Sequence, residues 1–131
     1  MGDYRCEQAL LIDNNATDNF AHKLAIVESQ LAREVKVVTS GKEAMEYLRS
    51  NGPKLPELIL FDVQIPVVEG QVFLHEYASL TYLEKSKTKI VVLTYNKEVA
   101  HLERLLINSE INYFMTKPLT LESCARMGAW M

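Results

Sequence analysis

Short continuous apolar runs alternate along the chain with stretches whose apolar residues recur every three or four positions. Ala9-Leu10-Leu11-Ile12 is the first run, and it stops abruptly at Asp13-Asn14-Asn15. A run this short and unbroken predicts a strand buried on both faces. Phe20, Leu24, Val27 and Leu31 then follow at spacings of four, three and four, which predicts a helix with those four on its apolar face. Glu34 to Thr39 alternates like a strand, and Ser40-Gly41-Lys42-Glu43 has the spacing of a capping box. The helix it opens should run through Ala44 and Leu48 to the breaker Asn51-Gly52-Pro53.

The alternation continues. Leu58-Ile59-Leu60-Phe61 predicts a second buried strand, ending at Asp62. Gly70 follows a proline-containing turn, and Phe73, Leu74, Tyr77 and Leu80 mark a helix. Lys89-Ile90-Val91-Val92-Leu93 is a strand ending at Thr94, and Val99, Leu102, Leu105 and Leu106 are a helical face. Ile111 to Met115 is the last strand, ending at Thr116-Lys117-Pro118, and Leu121 to Met127 closes the chain as a helix. Five strands alternating with five helices predict an α/β fold: a five-stranded parallel sheet, doubly wound, with right-handed crossovers.

Composition narrows the function classes. The chain has 131 residues, with 48% hydrophobic and 24% charged, which suits one globular domain over residues 1–131. Lys and Arg number 14 against 17 Asp and Glu, and the net charge of −3 argues against direct nucleic-acid binding. No apolar run is long enough to span a bilayer, and the N-terminus lacks the pattern of a signal peptide. A cytoplasmic location and free thiols at Cys6 and Cys124 are therefore expected. There is no Gly-x-Gly-x-x-Gly, no phosphate-loop motif and no zinc-type histidine spacing, so a nucleotide or zinc enzyme is disfavoured. His22, His75 and His101 fall within predicted helices and are expected to lie away from the strand ends.

In a parallel α/β sheet, strand C-termini line one edge, and ligands bind there. Asp13, Asn14, Asp62, Thr94 and Lys117 should therefore converge from distant parts of the chain. Two carboxylates, a hydroxyl and an ammonium in one crevice suit a hard cation and a phosphoryl group. Each residue alone has a plainer reading as a cap, a turn or a strand end.

Four segments together resemble the receiver domain of two-component response regulators over nearly the whole chain. They are Leu10 to Asn15, Leu58 to Gly70, Val91 to Thr94, and Phe114 to Pro118. The Asp-x-x-x-Pro-x-x-(Asp/Glu)-Gly segment, with the spaced Thr and the Lys-Pro, is specific only in combination. The resemblance implies the flavodoxin-like strand order 2-1-3-4-5. It also implies a phosphorelay switch in which Asp62 accepts a phosphoryl group from a histidine kinase or phosphotransfer protein with Mg²⁺. Asp13 and Asn14 match the metal-holding acidic pair, and Gln64 matches the position whose backbone carbonyl is a further metal ligand. Thr94 matches the hydroxyl that bonds the phosphoryl oxygens, and Lys117 the lysine paired with the phosphoaspartate, its bond to Pro118 typically cis. Phe114 matches the aromatic whose rotation reports the active state.

Three departures from the family matter. Asn14 stands where a carboxylate is usual, so the crevice should hold two carboxylates, Asp13 and Asp62, and bind Mg²⁺ weakly. Tyr95 stands where a small residue is usual; it either shields Asp62 or contacts a partner, or points outward. Gln64 and Asn96 occupy positions that tune phosphoaspartate hydrolysis. The implied output is a downstream protein partner, bound through the face around the fourth helix, the last strand and the closing helix. The expected state is a monomer or weak homodimer, with no catalysis beyond the protein's own phosphorylation and dephosphorylation. No output domain is read within this chain. The alternative is a degenerate receiver-like binding module that works independently of phosphorylation.

Overall fold

The computed structural model describes residues 4–52, 54–62, 67–81, 87–94 and 110–130. The strands are β1 (Cys6–Ile12), β2 (Ala32–Val38), β3 (Leu58–Asp62), β4 (Lys89–Thr94) and β5 (Tyr113–Thr116). The described helices are α1 (Ala16–Glu28), α2 (Gly41–Ser50), α3 (Val67–Ala78) and α4 (Leu121–Trp130). The helix expected around Val99, Leu102, Leu105 and Leu106 lies outside the described residues. The five strands are parallel and ordered β2-β1-β3-β4-β5. This is the expected doubly wound sheet.

Period-two alternation sorts the strand residues onto two faces. Leu10, Ile12, Ile59, Phe61, Ile90 and Val92 pack with Ala44, Met45 and Leu48 of α2 and Phe73, Leu74 and Tyr77 of α3. Ala9, Leu11, Leu58, Leu60, Val91, Leu93 and Met115 pack on the other side with Ile26 of α1 and Cys124 and Met127 of α4. The continuous apolar runs are thus strands covered on both faces. Phe73 stacks between Phe61 and Tyr77, with centroids 5.7 and 6.2 Å away.

Local signals explain where the helices start. The side chain of Asn15, not that of Asp13 or Asn14, caps α1 by accepting from the Asp18 N–H. Ser40 Oγ accepts from the Glu43 N–H at the head of α2, and Glu43 reaches back to the Thr39 N–H and hydroxyl. Glu69, the acid of the Pro-containing motif, accepts from the Gly41 N–H at 2.9 Å. A Cβ on Gly41 would stand 3.1 Å from the Phe73 Cβ and 3.3 Å from the Glu69 carbonyl. Glycine here permits the close approach of α2 to α3.

One expected face is wrong. Phe20 and Leu24 are 60% and 50% exposed, and α1 instead buries Asn19, His22 and Ile26. These three also have helical spacing, but two are polar, so hydrophobic periodicity passes over them. Leu31 is buried just beyond the helix, before β2.

Candidate functional site

Register brings the strand ends together. Ile12 pairs with Phe61, so the next residues, Asp13 and Asp62, lie side by side at the C-terminal edge. Asp62 in turn pairs with Leu93, one residue before Thr94, and Thr94 pairs with Thr116, one residue before Lys117. The Lys117 N–H donates to the Thr94 carbonyl at 2.8 Å, which fixes the backbone of one against the other. The Lys117–Pro118 peptide is cis. Asp13, Asp62, Thr94 and Lys117 are all buried. Asn14 is exposed, and Phe114 is half-buried against the α2–α3 side of the core. Gln64, Tyr95 and Asn96 lie outside the described residues.

Lys117 is the electrostatic centre of the site. Its Nζ donates to Asp62 Oδ2 at 2.6 Å and stands 3.4 Å from Asp18 Oδ2. Burial pulls the ammonium pKa down, but the hydrogen bond to Asp62 and the charges of Asp62, Asp13 and Asp18 outweigh it and hold the pKa above its ordinary value. Asp13 is pushed up to about 7, by burial first and then by the neighbouring Asp62 carboxylate. Its Oδ1 accepts from the Asn15 N–H at 2.9 Å, while Oδ2 is buried with no hydrogen-bond donor.

Two residues that sequence reasoning missed belong to this site. Asp18, in the first turn of α1, joins Asp13 and Asp62 in a group whose potential ligand oxygens all lie within 4.8 Å of one another. This corrects the expectation of two carboxylates: among the described residues the crevice holds three, because α1 turns Asp18 back over the strand ends. The signal was the cap itself, since an Asn15 cap places residue 18 in the first helical turn. His22 corrects a second expectation. It is buried, and its Nδ1 lies 3.9 Å from Asp13 Oδ2. Burial and the Lys117 charge lower its pKa, which favours the neutral imidazole. Asn19 completes this flank by donating to the Asp13 carbonyl at 2.9 Å. His75 is exposed on α3, and His101 lies outside the described residues.

The family model described as the response regulator receiver domain matches residues 9–127. The chain belongs to that family. This receiver is 30% identical over 120 residues to a probable methanogenesis regulatory protein, FilR2 of Methanothrix harundinacea, covering 83% of this chain and 73% of that protein. A response regulator receiver protein from Dyadobacter fermentans superposes with a TM-score of 0.78 at 22% identity, covering 95% of this chain and 97% of that one. The phosphorylated cyanobacterial phytochrome response regulator RcpA superposes with a TM-score of 0.71 at 26% identity, covering 93% of this chain and 88% of that one. The receiver family serves two-component signalling, and Mg²⁺ and a phosphoaspartate are typical of it. No helix among the described residues is long and apolar enough to cross a membrane.

The donor set of the crevice fits a hard divalent cation. Carboxylate oxygens of Asp13, Asp18 and Asp62 converge, and Asp13 Oδ2 is buried without a hydrogen-bond donor.

Proposed function

We propose that this receiver is a phosphorylation switch with Asp62 as the phosphoacceptor. The observation that carries the reading is the buried Asp62–Lys117 pair, 2.6 Å long, set among Asp13, Asp18 and Thr94 at the strand ends. A carboxylate oxygen of Asp62 attacks the phosphorus of a phosphohistidine on a histidine kinase or phosphotransfer protein. The new bond is O–P, the N–P bond breaks, and the imidazole leaves and takes up a proton.

Such a transfer needs positioning and charge neutralisation more than covalent invention. Lys117 is placed to offset charge on the phosphoryl oxygens. The Thr94 hydroxyl, one residue past the partner of Asp62 on β4, would donate to them. Asp13 and Asp62 would hold Mg²⁺, with the Gln64 carbonyl as a further ligand and Asn14 contributing at most an uncharged oxygen. When bound, the ion neutralises the negative charge that gathers between carboxylate and phosphoryl group.

Phe114, on β5 and packed against the α2–α3 core, would with Thr94 carry the change to a downstream protein. Tyr95, Gln64 and Asn96 would tune access and lifetime. Switching works because the partner binds the two states with different affinity. The phosphate-independent binding module is supported only by Asn14 and Tyr95, and the retained Asp62–Lys117 pair opposes it.

The test is incubation with Mg²⁺ and acetyl phosphate, read by intact mass. A phosphate-sized gain that Asp62→Asn abolishes is the expected result. A wild-type protein that takes up no phosphate, either from acetyl phosphate or from a phosphohistidine donor, would overturn the reading.

A further inference from the structure

The exposed Asn14 leaves the crevice without the carboxylate that the receiver family usually carries at that position. One helical turn later, Asp18 points a carboxylate into the same space. Its Oδ2 lies 3.4 Å from Lys117 Nζ, and one of its oxygens belongs to the group that falls within 4.8 Å. Opposite oxygens around an octahedral Mg²⁺ are ~4.2 Å apart, twice the metal–oxygen distance. Oxygens within 4.8 Å of one another are close enough for one ion to reach all three carboxylates.

A second observation, on a side chain outside the acidic group, points to a missing ligand. His22 Nδ1 is buried, has no hydrogen-bond partner, and stands 3.9 Å from Asp13 Oδ2, which also has none. Buried polar atoms with no partner are uncommon in folded proteins, and these two face each other at the crevice wall.

We propose that Asp18 supplies the carboxylate that Asn14 lacks, so that Asp13, Asp18 and Asp62 together hold the divalent cation of the crevice. The proposal rests on the phosphorylation-switch reading for the identity of the crevice. It reverses the expectation drawn from Asn14 alone, that magnesium binding is weak. The acid has moved from the strand end to the first turn of α1, and the number of carboxylates is conserved.

Magnesium chloride titrated into the full chain by calorimetry, with Mn²⁺ electron paramagnetic resonance as a second readout, tests this. The proteins are wild type, Asp18→Asn, Asp18→Ser, Asp62→Asn and the double variant Asn14→Asp/Asp18→Asn. Thermal unfolding shows that each is folded, and Asp18→Ser keeps a residue suited to a first helical turn if the amide disturbs it. Removing the Asp18 charge is expected to weaken magnesium binding about tenfold. Adding Asn14→Asp to Asp18→Asn is expected to restore most of the loss.

If Asp62→Asn weakens binding while both Asp18 variants stay within about twofold of wild type, Asp18 serves only to pair with Lys117. In that case this proposal alone is overturned. If wild type binds no magnesium, or Asp62→Asn binds as tightly as wild type, the crevice is not a cation site and the switch reading falls with the proposal.

Discussion

Lys117→Met and Asp62→Asn break the same ion pair from opposite sides, and they should not cost the same. Removing the ammonium leaves Asp62 and Asp13, both fully buried, facing each other with Asp18 close by. At an effective dielectric of about 20, a contact of 2.6 Å corresponds to ~6 kcal/mol of gross attraction, part of which only offsets desolvation. Stripping one partner from a buried pair typically costs about 3–5 kcal/mol, because the other charge is left uncompensated. Asp62→Asn is different. The amide oxygen still accepts from Lys117, the ammonium keeps Asp18 at 3.4 Å, and the repulsion between Asp13 and Asp62 disappears. Its cost should stay within about 1 kcal/mol. Urea unfolding in EDTA, with equal slopes confirming comparable unfolding, measures both. In a chain of this length, Lys117→Met should also lower Tm by roughly 10–20 °C. Equal losses from the two variants, or a loss below about 1 kcal/mol for Lys117→Met, would refute this electrostatic account.

Further outcomes are expected elsewhere in the fold. Gly41→Ala should cost about 1–3 kcal/mol in denaturant unfolding, since its Cβ would crowd the Phe73 Cβ at 3.1 Å; an unchanged midpoint would mean that α2 and α3 separate freely. Glu69→Ala removes the acceptor for the Gly41 N–H and should cost about 1 kcal/mol, which the same assay reads. Both thiols should resist a disulfide reagent at pH 8 in the native state and react at once in denaturant. Burial and the charges of Glu57 and Glu7 push Cys6 up to about 12, and burial raises Cys124, so the thiolate is disfavoured at both. Stoichiometric labelling of the native protein within minutes would contradict that burial.

The sheet was legible because each strand is a short apolar run closed by a polar residue. Such runs fit strands covered on both faces, and the two clusters on either side of the sheet are that covering. The capping box at Ser40 was legible for a similarly local reason, although Glu43 bonds Thr39 rather than Ser40 on its return. Asp13, Asp62, Thr94 and Lys117 reach one edge because a parallel register carries strand ends there, while Asn14, expected with them, is exposed.

Sequence failed on α1, where apolar spacing selected Phe20 and Leu24. The helix turns its polar residues Asn19 and His22 inward because they serve the Asp13 flank. Asp18 was missed for the same reason. Its role comes from where a helix starts and how that helix lies across the sheet, which hydrophobic spacing does not encode.

The central claim is that Asp62 is the residue that takes phosphate. After incubation with Mg²⁺ and acetyl phosphate, borohydride reduction marks an aspartyl phosphate permanently, and peptide mapping finds the marked residue. The account expects the reduced product at Asp62 alone, and none without the phosphodonor. A mark on Asp13, Asp18 or any other acid, or none at all under conditions where the protein gains phosphate, would contradict it.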